Sequence, residues 1–168
     1  MSDKITPCLW FDTEGEEAAE LYCSLIPNSK IISTTLYGDA GPRPAGSVMT
    51  VEFELDGRPY VALNGGPEFP FTEAVSFQVS CADQDEVDRL WDALLEGGGE
   101  ESMCGWLKDR FGLSWQIIPE ALPRLLGDPD QGRAERAMAA MLKMRKLDVA
   151  AMQPSAACLL YTSPSPRD

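Results

Sequence analysis

The chain has 168 residues, 14 basic against 27 acidic for a formal net charge of −13, and 44% of it is hydrophobic. That length suits one compact domain or two small fused modules, the apolar content excludes a wholly disordered acidic chain, and the charge argues against nucleic acid and anionic membrane surfaces as partners. Histidine is absent, so no Ser-His-Asp or Cys-His relay, no histidine base and no imidazole metal ligand exists in it.

Ile5 to Phe11 is a short apolar run that stops at Asp12, and Glu14 to Leu25 then sets Ala18, Leu21, Tyr22 and Leu25 at helical spacing. The spacing predicts a strand followed by an amphipathic helix. Pro27-Asn28-Ser29 ends the helix, and three β-type runs follow, Lys30 to Leu36, Ser47 to Leu55 and Arg58 to Asn64. Gly38 to Gly46 reads as a Gly/Pro loop. Asp56-Gly57 is the dipeptide of a type I′ hairpin, which makes the last two strands antiparallel neighbours.

Gly65-Gly66-Pro67 and the residues to Phe71 form a connector, and the pattern then restarts. Val75, Phe77, Val79 and Cys81 alternate with Ser76, Gln78 and Ser80, and Asp83 can cap a helix with Val87, Leu90, Trp91 and Leu94 on one face. Gly97-Gly98-Gly99 stops it. A weak strand at Glu101 to Met103 precedes a hairpin of Cys104 to Lys108 and Leu113 to Ile118, turning at Asp109-Arg110-Phe111-Gly112. A second βαβββ unit thus follows the first. Past Pro119 the chain turns helical, and Asp128-Pro129-Asp130 opens a helix whose Ala134, Ala137, Met138, Met141, Leu142 and Arg145 form a stripe for core or subunit packing.

One domain over residues 1–153 is expected, with module one at about 3–66, module two at about 72–119 and helices at about 120–153. Residues 154–168 read as a disordered tail. Within it, residues 158–168, from Cys158 to Asp168, resemble translated sequencing-adapter DNA and stay outside the fold argument. The five cysteines, Cys8, Cys23, Cys81, Cys104 and Cys158, form no CxxC pair. They read as free thiols, and with no leader-like start and no long apolar stretch a cytoplasmic protein is expected.

Six segments carry a family resemblance: Ile5-Thr6-Pro7-Cys8-Leu9-Trp10-Phe11, Glu16-Glu17-Ala18-Ala19, Pro27-Asn28-Ser29-Lys30, Gly46-Ser47-Val48-Met49-Thr50-Val51, Leu63-Asn64-Gly65-Gly66-Pro67, and Cys104 to Asp109 with Gly112 to Gln116. In these the chain resembles the PhnB-like branch of the vicinal oxygen chelate superfamily, which includes glyoxalase I, extradiol dioxygenases and bleomycin-resistance proteins. The resemblance covers nearly all of residues 3–153. It implies an α+β fold of tandem βαβββ modules with C-terminal helices, a curled mixed sheet whose concave face holds a small ligand, and a homodimer.

The alternation predicts which side chains line that face. Leu9, Phe11, Phe77 and Val79 suit packing on the helices, which turns Thr6, Cys8, Trp10, Ser76, Gln78 and Ser80 toward the cleft, and the same rule turns Tyr60, Ala62, Asn64, Ser114 and Gln116 inward. Gln116 is the foremost ligand candidate. Trp10, Trp106 and Trp115 offer planar surfaces for a ligand or for packing. The resemblance puts metal positions at Thr6, Ala62, Ala74 and Gln116, and one neutral oxygen cannot offset the dehydration of a divalent ion. A cleft without metal or other cofactor is therefore expected.

Glu68 stands where relatives carry a histidine, and Cys104 is a thiol beside Gly105-Trp106. Each is a candidate catalytic group, weighed against a solvated loop carboxylate and a small core residue. Two functions remain open. One is a binder of a small organic molecule; the other is a lyase, isomerase or similar small-metabolite enzyme. The methyltransferase label of some relatives is not expected to apply, because Asp12-Thr13-Glu14-Gly15 is not the Gly-rich turn of a cofactor-binding strand-helix unit.

Overall fold

A computed structural model of the chain describes residues 3–157, and these divide between Thr72 and Glu73 into two compact units. The first contains β1 (Cys8–Phe11), α1 (Gly15–Leu25), β2 (Lys30–Leu36), β3 (Val48–Leu55) and β4 (Arg58–Asn64). Its sheet has the order β1-β4-β3-β2, with β1 parallel to β4 and the other pairs antiparallel. Asp56 and Gly57 both take positive φ, 49° and 74°, as a type I′ turn requires. The first strand is shorter than its apolar run. Pro7 has no N–H to give the ladder and contributes only its carbonyl, which accepts from Val61 N at 3.0 Å, while Ile5 and Thr6 are exposed.

Parity then follows from register. Leu9 pairs with Ala62 and Phe11 with Asn64, so these four share one face, together with Val51 and Phe53 of β3. Against that face α1 packs Ala18, Ala19 and Tyr22, all buried. Every residue of β2, the edge strand, is exposed.

The second unit repeats the scheme with β5 (Ser76–Cys81), α2 (Gln84–Leu95), β6 (Glu100–Glu101), β7 (Trp106–Lys108) and β8 (Ser114–Pro119), in the order β5-β8-β7-β6. Here β5 is parallel to β8 and the other pairs are antiparallel. Asp83 caps α2 as expected, its side chain accepting from Glu86 N at 2.9 Å. Val87, Leu90, Trp91 and Leu94 of α2 are buried, as are Leu107, Trp115 and Ile117 on the helix-facing side of the sheet. The expected α+β architecture of tandem βαβββ modules is thus present.

Three helices end the described residues, α3 (Ala121–Leu126), α4 (Gln131–Met141) and α5 (Val149–Ala157). The last runs through residues 154–157, where the sequence suggests a tail; residues 158–168 lie outside the described part. The helical stripe read as one element is broken after Met141. Met141, with Met144, packs around Leu122, Leu147 and Met152, while Met138 and Leu142 stay exposed.

The segment between α4 and α5 is strapped to the module. Cys104 N and Gly105 N donate to the Met144 and Arg145 carbonyls, each at 2.8 Å. Gln84 donates from Nε2 to Leu147 O at 2.9 Å and accepts on Oε1 from Val149 N at 2.9 Å. Lys146 pairs with Asp88 at 2.9 Å. Replacing Gln84 with alanine removes both amide bonds and leaves two backbone groups unmatched. A loss of about 2 kcal/mol in urea unfolding is expected, with hydrogen exchange rising first at Leu147 and Val149; an unchanged midpoint removes the clamp from the account.

Candidate functional site

The side of the second sheet turned away from α2 carries two rows of side chains across three strands. Ser76, Ser114 and Lys108 are aligned by register in one, and Gln78, Gln116 and Trp106 in the other. They share a face because the alternating Phe77, Leu107, Trp115 and Ile117 are drawn onto the helix. Five predicted pocket residues, Ser76, Gln78, Trp106, Ser114 and Gln116, are thus brought together.

Gln116 Nε2 donates to Ser76 Oγ at 2.9 Å, which fixes the amide and leaves Oε1 as an acceptor. Ser114 is only 1% exposed, and its Oγ has no hydrogen-bond partner among the described residues. A buried hydroxyl left so costs about 1–3 kcal/mol. Lys108 forms an ion pair with Glu73. The hydrogen bond between them holds the Glu73 carboxyl below its usual range and pushes the Lys108 ammonium pKa up. Sequence reasoning places neither of the two on this face, although the alternation of Trp106, Leu107 and Lys108 carried the signal for the lysine.

The tryptophans differ in their bonding. Trp115 is buried, its indole N–H donates to Asp109 Oδ2 at 2.9 Å, and its ring meets Phe77 edge to face at 5.2 Å. It serves packing. Trp106 is half-buried, and no acceptor for its indole N–H is seen among the described residues.

Of the pocket residues expected in the first unit's strands, Cys8 and Trp10 stand on the side away from α1. Trp10 lies across Gly65, where any Cβ would collide with its ring, donates to Gly66 O at 2.8 Å and meets Phe69 edge to face at 5.0 Å. Cys8 is exposed, and partial screening from water pushes its thiol up, away from a nucleophilic thiolate. Tyr60 and Asn64, expected to face the ligand, are on the helix side. Tyr60 stacks on Phe53 at 5.6 Å. Asn64 accepts from Gly15 N at 2.7 Å and donates to Val48 O at 3.2 Å, beside a cavity of about 240 Å³ that Arg43, Ser47 and Glu16 also line. The physical reason is that Tyr60 to Leu63 is continuously apolar, so only pairing with β1 decides its parity.

Glu68 belongs to the first unit, and Cys104 lies outside the two rows of the second. Glu68 is an exposed loop carboxylate lying against Gly66 beside Arg43, which itself pairs with Asp12 at 3.4 Å. Cys104 sits in the β6–β7 turn at φ 59°, followed by Gly105 at φ 83°, with its backbone tied to the α4–α5 segment. Its position serves the turn.

The donor set also tests whether a metal fits. Of the four positions the superfamily uses, Thr6 and Ala74 are exposed, Ala62 is buried on the helix side, and Gln116 offers one neutral oxygen. No three His, Cys, Asp or Glu side chains among the described residues are grouped to hold an ion. These residues do not fit a divalent metal.

Comparison with known proteins gives consistent matches. A family model described as 3-demethylubiquinone-9 3-methyltransferase matches residues 3–118. A Bacillus cereus structure, a putative 3-demethylubiquinone-9 3-methyltransferase called PhnB protein, is 32% identical, covering 70% of this chain and 99% of its own with a TM-score of 0.64. Protein PA1353 from Pseudomonas aeruginosa is 25% identical, covering 71% of this chain and 98% of its own at a TM-score of 0.58. The fosfomycin resistance protein FosX of Listeria monocytogenes matches at 14% identity over 73% of this chain and 97% of its own, with a TM-score of 0.48. No curated protein matches.

Proposed function

The chain belongs to the PhnB-like family of the vicinal oxygen chelate superfamily, the family described as 3-demethylubiquinone-9 3-methyltransferase, and on that premise we propose that it binds a small organic molecule without a metal. The observation that carries this reading is the polar face of the second sheet, where the buried Ser114 hydroxyl has no partner among the described residues and shares a face with the oriented Gln116 amide. Polar groups so placed on an otherwise packed sheet are costly to folding and are retained where a ligand uses them.

Binding alone is favoured over catalysis. Among the described residues of the second unit, the titratable groups at these rows are Lys108, held by Glu73, and Glu100 at its register position. Cys104, in the β6–β7 turn, does not lie in either row to act as nucleophile. Methyl transfer also finds no support in the residues present. A nucleotide-type cofactor uses free N–H groups at the start of the helix after the first strand, and here Gly15 N is taken by Asn64 Oδ1 at 2.7 Å.

The same proposal includes a homodimer in the cytoplasm. Exposed Ile31, Ile32 and Leu36 on β2 support association, and the four free cysteines among the described residues suit a reducing compartment. No helix among those residues is long and apolar enough to cross a membrane, and the charge of −13 disfavours nucleic acid.

Metal analysis of the purified protein, beside a thermal-shift screen of small metabolites and glycopeptide antibiotics, tests the reading. Stabilisation without turnover and without stoichiometric metal is the expected result. Bound zinc, nickel or iron at one per chain overturns the metal-free part. Gln116→Leu is expected to weaken any hit about tenfold through loss of a hydrogen bond, and an unchanged affinity removes Gln116 from the site.

A further inference from the structure

Resting on the small-molecule reading, we infer that the second sheet's polar face recognises an uncharged, planar carboxamide: its carbonyl oxygen on the Ser114 hydroxyl, its N–H on Gln116 Oε1, its flat side against Trp106. Four features select this class.

The first is supply and demand of hydrogen bonds. Gln116 spends Nε2 on Ser76 Oγ, leaving Oε1 to accept. Ser114 Oγ is buried with no partner. One donor and one acceptor are therefore left unspent among the described residues, which is the complement of an amide edge. The second is spacing. Residues 114 and 116 point the same way from one strand, about 7 Å apart at the backbone, and a primary amide with a hydrogen bond on each side spans a similar distance.

Charge is the third. Lys108 is flanked by Glu73, its ion-pair partner, and by Glu100, opposite it in the β6–β7 register. Two carboxylates against one ammonium, in a chain of net charge −13, repel a carboxylate or phosphate of the same shape and leave a neutral group unpenalised. The fourth is Trp106, half-buried in the row of Gln116, with a ring on which a planar group can stack.

The test uses the full chain, labelled with ¹⁵N, and two probes of nearly equal shape, benzamide and benzoate. The sequence has four tryptophans, and three of their indole N–H groups are bonded internally, to Gly66, Glu101 and Asp109. Benzamide is expected to move the fourth indole signal, identified by its loss in Trp106→Phe, with the backbone amides of Ser114 and Gln116. It should bind about tenfold more tightly than benzoate, and Ser114→Ala and Gln116→Leu should each weaken it about tenfold. Preserved dispersion of the other indole signals reports that each variant is folded. Equal binding of benzoate, an unmoved Trp106 signal, or full affinity in both variants overturns the inference. If benzamide fails while a screened metabolite still binds and loses affinity in Gln116→Leu, the carboxamide inference falls and the broader reading stands. Loss of both results sinks both.

Discussion

Replacement of Asp109 by alanine is expected to lower the thermal unfolding midpoint by about 6–12 °C, from a loss of about 3 kcal/mol. Asp109 is 3% exposed and organises the β7–β8 turn. Its Oδ1 accepts from Phe111 N at 2.9 Å and Leu113 N at 3.1 Å, and its Oδ2 accepts from the Trp115 indole at 2.9 Å. Alanine strands three donors, one of them on a buried tryptophan. Asp109→Asn is a stringent control, because its amide nitrogen would face either the indole N–H or the two backbone N–H groups. It is expected to fall well below the parent in scanning calorimetry. Alanine and parent melting together would refute this role.

The second large effect is expected at Asn64. This residue is 5% exposed and joins three elements: β4, where it stands; α1, through Gly15 N; and the start of β3, through Val48 O. Glu14, the residue preceding the helix, makes no side-chain cap of its own, so Asn64 supplies that function from a distant strand. Asn64→Ala should cost about 2 kcal/mol in urea unfolding. Asn64→Asp keeps an acceptor for Gly15 and places a negative charge at a helix start, so a smaller loss is expected. A Cβ on Gly15 would lie 2.7 Å from Asn64 Oδ1. Gly15→Ala should therefore be costly in the parent and less so beside Asn64→Ala, and purely additive losses would rule out the coupling.

Much of the fold was legible in local chemistry. The bounds of β2 and β4, the Asp56-Gly57 hairpin, the Asp83 cap and the helix start after Asp128-Pro129-Asp130 all follow from residues acting on near neighbours. The second sheet's polar rows were legible for the same reason, since Trp115 and Ile117 alternate cleanly with Ser114 and Gln116. In β4 no such contrast exists from Tyr60 to Leu63, and the faces were settled by pairing with a strand about 50 residues earlier. Asn64 was therefore read as a ligand contact when it is a distant helix cap. The Gln84 clamp was equally hidden, for a glutamine at a helix start carries no mark of a backbone partner 63 residues on.

The exposed edge strand β2 has a consequence for how copies of this protein can meet. Its ladder with β3 slips between Ile31 and Ser33 and again between Thr35 and Leu36, so its longest regular stretch is Ser33–Thr35. An incoming strand needs a longer straight template to hydrogen-bond stably along an edge. Open-ended growth into fibrils, in which each added strand creates the next edge, is thereby discouraged even though Ile31, Ile32 and Leu36 are apolar and accessible. Contact through side-chain faces remains available, and a two-fold contact of that kind, the same patch on both copies, closes at the dimer.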